Sequence, residues 1–152
     1  MEQIFSSVLG KFKEIETENH PLEILLSRTA ELLRESIPHY DWVGFYILDP
    51  HADMLILGPF SGNPTEHTHI PVGKGICGQV AVNKKSMIVQ DVTEQTNYIA
   101  CSLDVQSEIV VPILKNELFI AEIDIDSHDF APFSSEDEQF LTTIAERISV
   151  YF

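Results

Sequence analysis

Basic residues are scarce in this sequence. Nine lysines and arginines stand against 24 aspartates and glutamates, a formal net charge of −15 over 152 residues. A protein that grips nucleic acid needs a basic footprint to neutralise phosphates. This chain would repel a duplex and an anionic membrane surface alike, so neither partner is expected. A ligand carrying a protonated amine would be attracted. Long apolar runs are missing too. The longest, Ile109 to Leu114, is about six residues, against roughly 20 for a membrane-spanning helix. Cysteine is rare: Cys77 and Cys101 are the two, and no C-x-x-C occurs. Neither a disulfide scaffold nor a zinc-ligand spacing is present, and the close pair His67 and His69 does not make one. No metal site and no cofactor are expected. Met1-Glu2-Gln3 opens no basic-then-apolar signal, which points to a cytoplasmic protein.

What is present suits one packed domain over residues 1–152. Hydrophobic residues make up 44% of the chain, too many for disorder, and no repeat or linker breaks the pattern. Ile4, Val8, Phe12 and Ile15 recur at helical spacing, as do Leu22, Leu25, Leu26, Thr29, Leu33 and Ile37. Pro21 stands where a helix starts and Pro38 where it must stop. The period then becomes two. Tyr40 to Asp49 and Met54 to Phe60 read as a hairpin, Thr68 to Val72 and Ser86 to Gln90 as short strands, and Ile76 to Asn83 as a short helix. Ser107 to Leu114 and Leu118 to Asp126 are the strongest strands. Ser135-Glu136-Asp137-Glu138 reads as a capping box opening a last helix through Ile148. The expected fold class is α+β: a central antiparallel sheet with the N- and C-terminal helices on one face. The segment 60–106 would then cover the other face, where a pocket can form.

Four constellations can carry chemistry. Side chains alternate along a strand, so Phe119, Ala121, Ile123 and Ile125 share one face and Glu122, Asp124 and Asp126 the other. Glu108 lies in the neighbouring strand and can join them. Like charges so close need water, protons or a cation. Trp42, Gly44 and Tyr46 share a face, and a glycine between two aromatics leaves a slot for a ligand; aromatic faces favour methyl and cationic groups. Cys77 stands at the start of the short helix, where backbone N–H groups favour a thiolate, and Cys101 ends a loop from which a thiol can be oxidised and then resolved by another. Each group also has a plainer reading, as wet sheet edge, core packing or inert thiol. The string Gly73-x-Gly75-x-x-Gly78 matches a dinucleotide fingerprint, but residues 79–85 are too few for the crossover helix that the fingerprint requires.

Trp42-Val43-Gly44-Phe45-Tyr46, Gly58-Pro59-Phe60, Ile70 to Gly78, Asp91-Val92, Ile99-Ala100-Cys101, Ser107 to Pro112 and Asp124-Ile125-Asp126-Ser127 follow one another in order. Together they resemble the free methionine-(R)-sulfoxide reductases, a branch of the GAF-domain family. The resemblance runs from about residue 20 to the C-terminus. It implies a GAF-like fold with ligand-pocket loops on the open sheet face, a homodimer, and thioredoxin-dependent reduction of free methionine-(R)-sulfoxide. It also implies site roles: Cys101 as attacking thiol, Cys77 in disulfide exchange, Trp42 and Tyr46 as an aromatic wall around the substrate methyl. Glu108, Asp124 and Asp126 would be the acidic residues that bind substrate and handle protons. The chain departs from the family at two places. His67 stands where a third cysteine is common, and Ala121-Glu122 stands where a glycine and an apolar residue usually precede the Asp-Ile-Asp motif. A non-catalytic small-molecule sensor module is the alternative reading.

Overall fold

Among the described residues, three of the four α-helices are amphipathic, and all three lie on one side of a single sheet. The computed structural model describes residues 1–95 and 104–152. Helix α1 spans Glu2–Thr17 and buries Phe5, Val8, Phe12 and Ile15. Helix α2, Leu22–Ser36, begins directly after Pro21 and buries Leu25, Leu26, Thr29, Ala30 and Leu33. Strands β1 (Trp42–Asp49), β2 (Met54–Ser61) and β3 (His69–Pro71) follow, then helix α3 (Gly75–Asn83) and strand β4 (Met87–Val89). Strands β5 (Ser107–Lys115) and β6 (Leu118–Ser127) and helix α4 (Ser135–Ser149) complete the described elements, with one 3-10 turn at Val92–Glu94. The sheet order is β3-β2-β1-β6-β5-β4, and every neighbouring pair is antiparallel. No helix among the described residues is long and apolar enough to cross a membrane.

The sheet separates two cores. On one face, α2 and α4 pack onto a core that includes Val43, Phe45, Ile109, Val111, Ile123 and Ile125, and α1 packs on those two helices. Phe5 and Phe140 stack at 4.6 Å to join the first and last helices. On the other face α3 and its flanking segments cover Trp42, Tyr46, Val89, Val110 and Phe119. The α+β reading with terminal helices on one face is therefore the observed architecture.

Two local expectations change. Phe119 does not share the face of Ala121, Ile123 and Ile125. The ladder jumps from Ile113↔Ala121 to Leu114↔Phe119, so Ile120 is an extra residue in β6. Such a bulge reverses the alternation and sends Phe119 into the second core. The capping box of α4 sits one residue earlier than read. Ser134 is the N-cap and Asp137 its partner. Asp137 is drawn there because its carboxylate also takes hydrogen bonds from His39 Nε2 at 2.7 Å and Tyr40 Oη at 2.8 Å. Burial raises its pKa, but these bonds and those from Ser134 prevail and hold it below the usual carboxylate range. The β5–β6 connection is a two-residue turn: Asn116 and Glu117 have φ of 53° and 67°, the left-handed pair that a type I′ hairpin requires.

Candidate active site

Strand β6 supplies the floor of the second face, and the sheet register assembles the rest in rows. Asp126 lies between Trp42 on β1 and Glu108 on β5. Asp124 lies between Gly44 and Val110, and Glu122 between Tyr46 and Pro112. Directly opposed residues have Cα atoms about 4.5–5.5 Å apart, so these rows form one continuous patch. All four acids are buried: Glu108 is 4% exposed, Asp124 1%, and Glu122 and Asp126 0%. The wet-edge reading of this face is excluded by those values.

Helix α3 closes over the patch and brings Cys77 to it. The Cys77 sulfur and carboxylate oxygens of Glu108 and Asp124 lie within 4.8 Å of one another. The Cys77 thiol also interacts with Glu122. Neither Glu122 nor Asp124 nevertheless has a well-formed hydrogen bond to either carboxylate oxygen. Burial pushes the pKa of both carboxyls up, so they hold protons to higher pH than exposed acids do. Among the described residues no lysine or arginine is buried to offset them. Ile70, Lys74, Gly75 and Ile76 join Cys77, Glu108 and Asp124 around a cavity of about 10 Å³, room for a single water-sized group.

The expectation of a thiolate at Cys77 is overturned. It does occupy the first turn of α3, but burial raises its pKa, and the negative potentials of Asp124, Glu122 and Glu108 raise it further. A helix terminus acts through partial charges and is outweighed. The glycines around it serve the turn. Gly73 and Gly75 have φ of 93° and 63°. A Cβ on Gly78 would lie 2.8 Å from the Pro71 carbonyl oxygen and 2.9 Å from the Gly73 nitrogen. The fingerprint-like spacing is thus a tight strand-to-helix turn.

The slot expected at Gly44 is also filled, by Trp42 itself. A Cβ on Gly44 would stand 2.3 Å from the indole, and one on Gly62 would stand 2.6 Å from it. The indole lies between these two glycines. It stacks on Phe60 at 5.6 Å and donates its Nε1–H to the Asn63 carbonyl at 2.9 Å. Phe60 reaches this face because the β1–β2 register shifts between Gly44 and Tyr46. Gly58-Pro59 was the available signal, since proline inside a strand marks an edge or bulge. Tyr46 is fully buried and its hydroxyl donates to the His67 carbonyl at 2.7 Å. That bond places the backbone of residue 67, the missing-cysteine position, beside the aromatic wall. Trp42, Tyr46, Cys77, Glu108, Asp124 and Asp126 thus converge on one face of the sheet. Cys101 lies outside the described residues.

A two-sided sheet with helices on one face and a buried acid–thiol–aromatic cluster on the other defines a small-molecule-binding α+β domain. Residues 21–152 match the family model of the GAF domain. The free methionine-R-sulfoxide reductase of Escherichia coli (strain K12) is 37% identical over 123 residues, 81% of this chain and 73% of that protein. Protein YtsP of Bacillus subtilis (strain 168) is 37% identical over 142 residues, 93% of this chain and 86% of that protein. The X-ray structure of free methionine-R-sulfoxide reductase from Neisseria meningitidis, in complex with its substrate, matches with a TM-score of 0.92 at 34% identity. That match covers 97% of this chain and 87% of the other. The chain belongs to the GAF-domain family and is closely related to its free methionine-R-sulfoxide reductases.

Proposed function

We propose that this protein reduces free L-methionine-(R)-sulfoxide to L-methionine with a cysteine thiol, and that it does so in the cytoplasm as a homodimer. The observation that supports this most is the cluster of buried acids, Glu108, Glu122 and Asp124, facing Cys77, with Asp126 in the same row and Trp42 and Tyr46 on the adjoining strand. A buried carboxyl without a cation is held neutral by desolvation, and an arriving ammonium favours its ionised form. The α-ammonium of a free amino acid fits a water-sized cavity lined by Glu108 and Asp124. A peptide-bound residue has no such ammonium. The proton that leaves a carboxyl as the ammonium arrives is then available to the sulfoxide oxygen. Glu108, Asp124 and Asp126 share these two tasks, and Trp42 and Tyr46 border the S-methyl group.

The thiol chemistry divides between two cysteines. Cys77 is kept protonated by its surroundings, which suits a resolving thiol better than an attacking one. Cys101 is the attacking sulfur. It bonds to the sulfoxide sulfur, and the S–O bond breaks as the protonated oxygen leaves as water. A water then adds to the Cys101 sulfur as the new S–S bond breaks, so that methionine leaves with Cys101 as sulfenic acid. Cys77 then displaces water to form a Cys77–Cys101 disulfide, which the dithiol of thioredoxin reduces.

The test is NADPH oxidation coupled through thioredoxin reductase and thioredoxin. Free methionine-(R)-sulfoxide should sustain turnover, whereas the S epimer and a peptide-bound sulfoxide should not. Equal rates on the peptide-bound substrate, or no rate on any, would overturn the proposal.

A further inference from the structure

We propose that Cys77, Glu108 and Asp124 form a binding site for a thiophilic divalent cation of the zinc class, independent of whether the protein reduces sulfoxides. One sulfur and two carboxylates converge from three elements: Cys77 from α3, Glu108 from β5 and Asp124 from β6. Their ligand atoms lie within 4.8 Å of one another, and all three residues are buried. Around a tetrahedral zinc, donor atoms stand about 3.4–3.8 Å apart, from bond lengths of about 2.0–2.3 Å. Side-chain rotation of about 1 Å closes the set.

A second observation points to a ligand there. Asp124 is 1% exposed, lines the cavity, and meets Cys77 and Glu108 there without a hydrogen bond of good geometry to either oxygen. A buried carboxylate is normally satisfied, so one aimed into a small cavity marks a place for a positive group. The cavity of about 10 Å³ suits an ion or an ammonium group and is far too small for an apolar ligand. Lys74 borders it but is itself exposed. The donor set narrows the choice of ion. Magnesium and calcium take oxygen donors alone, whereas a mixed sulfur–carboxylate site favours zinc and cobalt. Binding takes the Cys77 proton off to solvent, so affinity rises with pH. An ion in this place occupies the carboxylates that an ammonium would use.

The experiment titrates the reduced full-length protein with Co²⁺ under anaerobic conditions, follows the near-ultraviolet thiolate-to-cobalt absorption, and then displaces Co²⁺ with Zn²⁺. One equivalent should bind with a thiolate band. The band should persist in Cys101→Ser and vanish in Cys77→Ser. Losing a mere hydrogen-bond partner of a metal ligand costs about 10–100-fold in affinity, so Asp124→Asn should weaken binding by about 100-fold or more. Circular dichroism checks the fold of each variant. If a variant does not fold, alkylation of Cys77 in the wild type, slowed by Zn²⁺, reads the same contact. No band in the wild type, or a band unchanged in Cys77→Ser, would overturn the proposal. If the band forms but the metal-free protein shows no turnover of free methionine-(R)-sulfoxide in the coupled assay, the ion site stands and the sulfoxide reading is what fails.

Discussion

Glu108 lies directly opposite Asp126 across the β5–β6 ladder, both of them buried. Like charges in that relationship destabilise a sheet, and a fold that keeps them must hold protons or expect a cation. Asp126→Asn and Glu108→Gln should therefore each cost far more activity than Glu122→Gln. Loss of a positioned proton donor costs about 10²–10⁴ in rate and lowers kcat. Loss of an ammonium partner costs about 2–5 kcal/mol in binding and raises KM. Steady-state kinetics on the three variants separates the effects. Near-normal kcat/KM in all three would reduce the cluster to an architectural feature.

The same burial makes stability depend on pH in a definite direction. Glu122 and Asp124 keep their protons to higher pH in the folded protein than in the unfolded chain. As pH rises through the ordinary carboxyl range, about 4–5, the unfolded chain releases protons first. Stability from these groups is full below that range and is lost as pH climbs toward their folded pKa, by up to about 1.4 kcal/mol per pH unit for each group. Asp137 works the other way. Its lowered pKa contributes stability above the ordinary carboxyl range that is lost in acid. Melting temperature should peak in mild acid and fall toward pH 8. Glu122→Gln, which copies the neutral acid, should raise the melting temperature at pH 8 by several degrees, at about 2–4 °C per kcal/mol. Calorimetry at pH 5, 6.5 and 8 checks this; an unchanged slope in the variant counts against it.

Cys101→Ser should abolish reduction with the fold intact by circular dichroism. Cys77→Ser should spare the first turnover and slow recycling. Mass spectrometry of the oxidised wild type should find a Cys77–Cys101 disulfide. A lasting sulfenic acid at Cys101, with Cys77 untouched, contradicts the resolving role.

Trp42 is the only tryptophan in the chain, so its fluorescence reports the site directly. Gly44→Ala places a Cβ 2.3 Å from the indole, and the ring must leave its stack on Phe60. A shift of the emission maximum and a KM raised about tenfold or more are expected, with the melting temperature less affected than by Gly78→Ala. The latter pushes a Cβ against backbone, which cannot yield as a side chain can. An unaltered emission spectrum in Gly44→Ala contradicts the packing described for Trp42.

The sheet and its helices were legible because the polar–apolar period is regular where one face of an element is buried. The acidic face was legible for the same reason: Glu122, Asp124 and Asp126 interrupt an apolar strand at a spacing of two. Single-residue irregularities were not. The bulge at Ile120 turns Phe119 over, and the shift beside Gly58-Pro59 brings Phe60 onto Trp42. Each depends on pairing with a distant strand, which local spacing does not contain. The helix position of Cys77 speaks for a thiolate. What sets its protonation is burial beneath the sheet face first, and then three carboxylates about 30 to 50 residues further along the chain.

If buried acids receive the ammonium of a free amino acid, the charge on that nitrogen decides affinity. The direct measurement is binding of free methionine-(R)-sulfoxide and of its N-acetyl derivative to Cys101→Ser protein, followed by Trp42 fluorescence or calorimetry. Acetylation removes the positive charge and leaves the sulfoxide, and loss of a buried charged partner costs about 2–5 kcal/mol. The free amino acid should bind at least about 30-fold more tightly. Equal affinities would contradict the account.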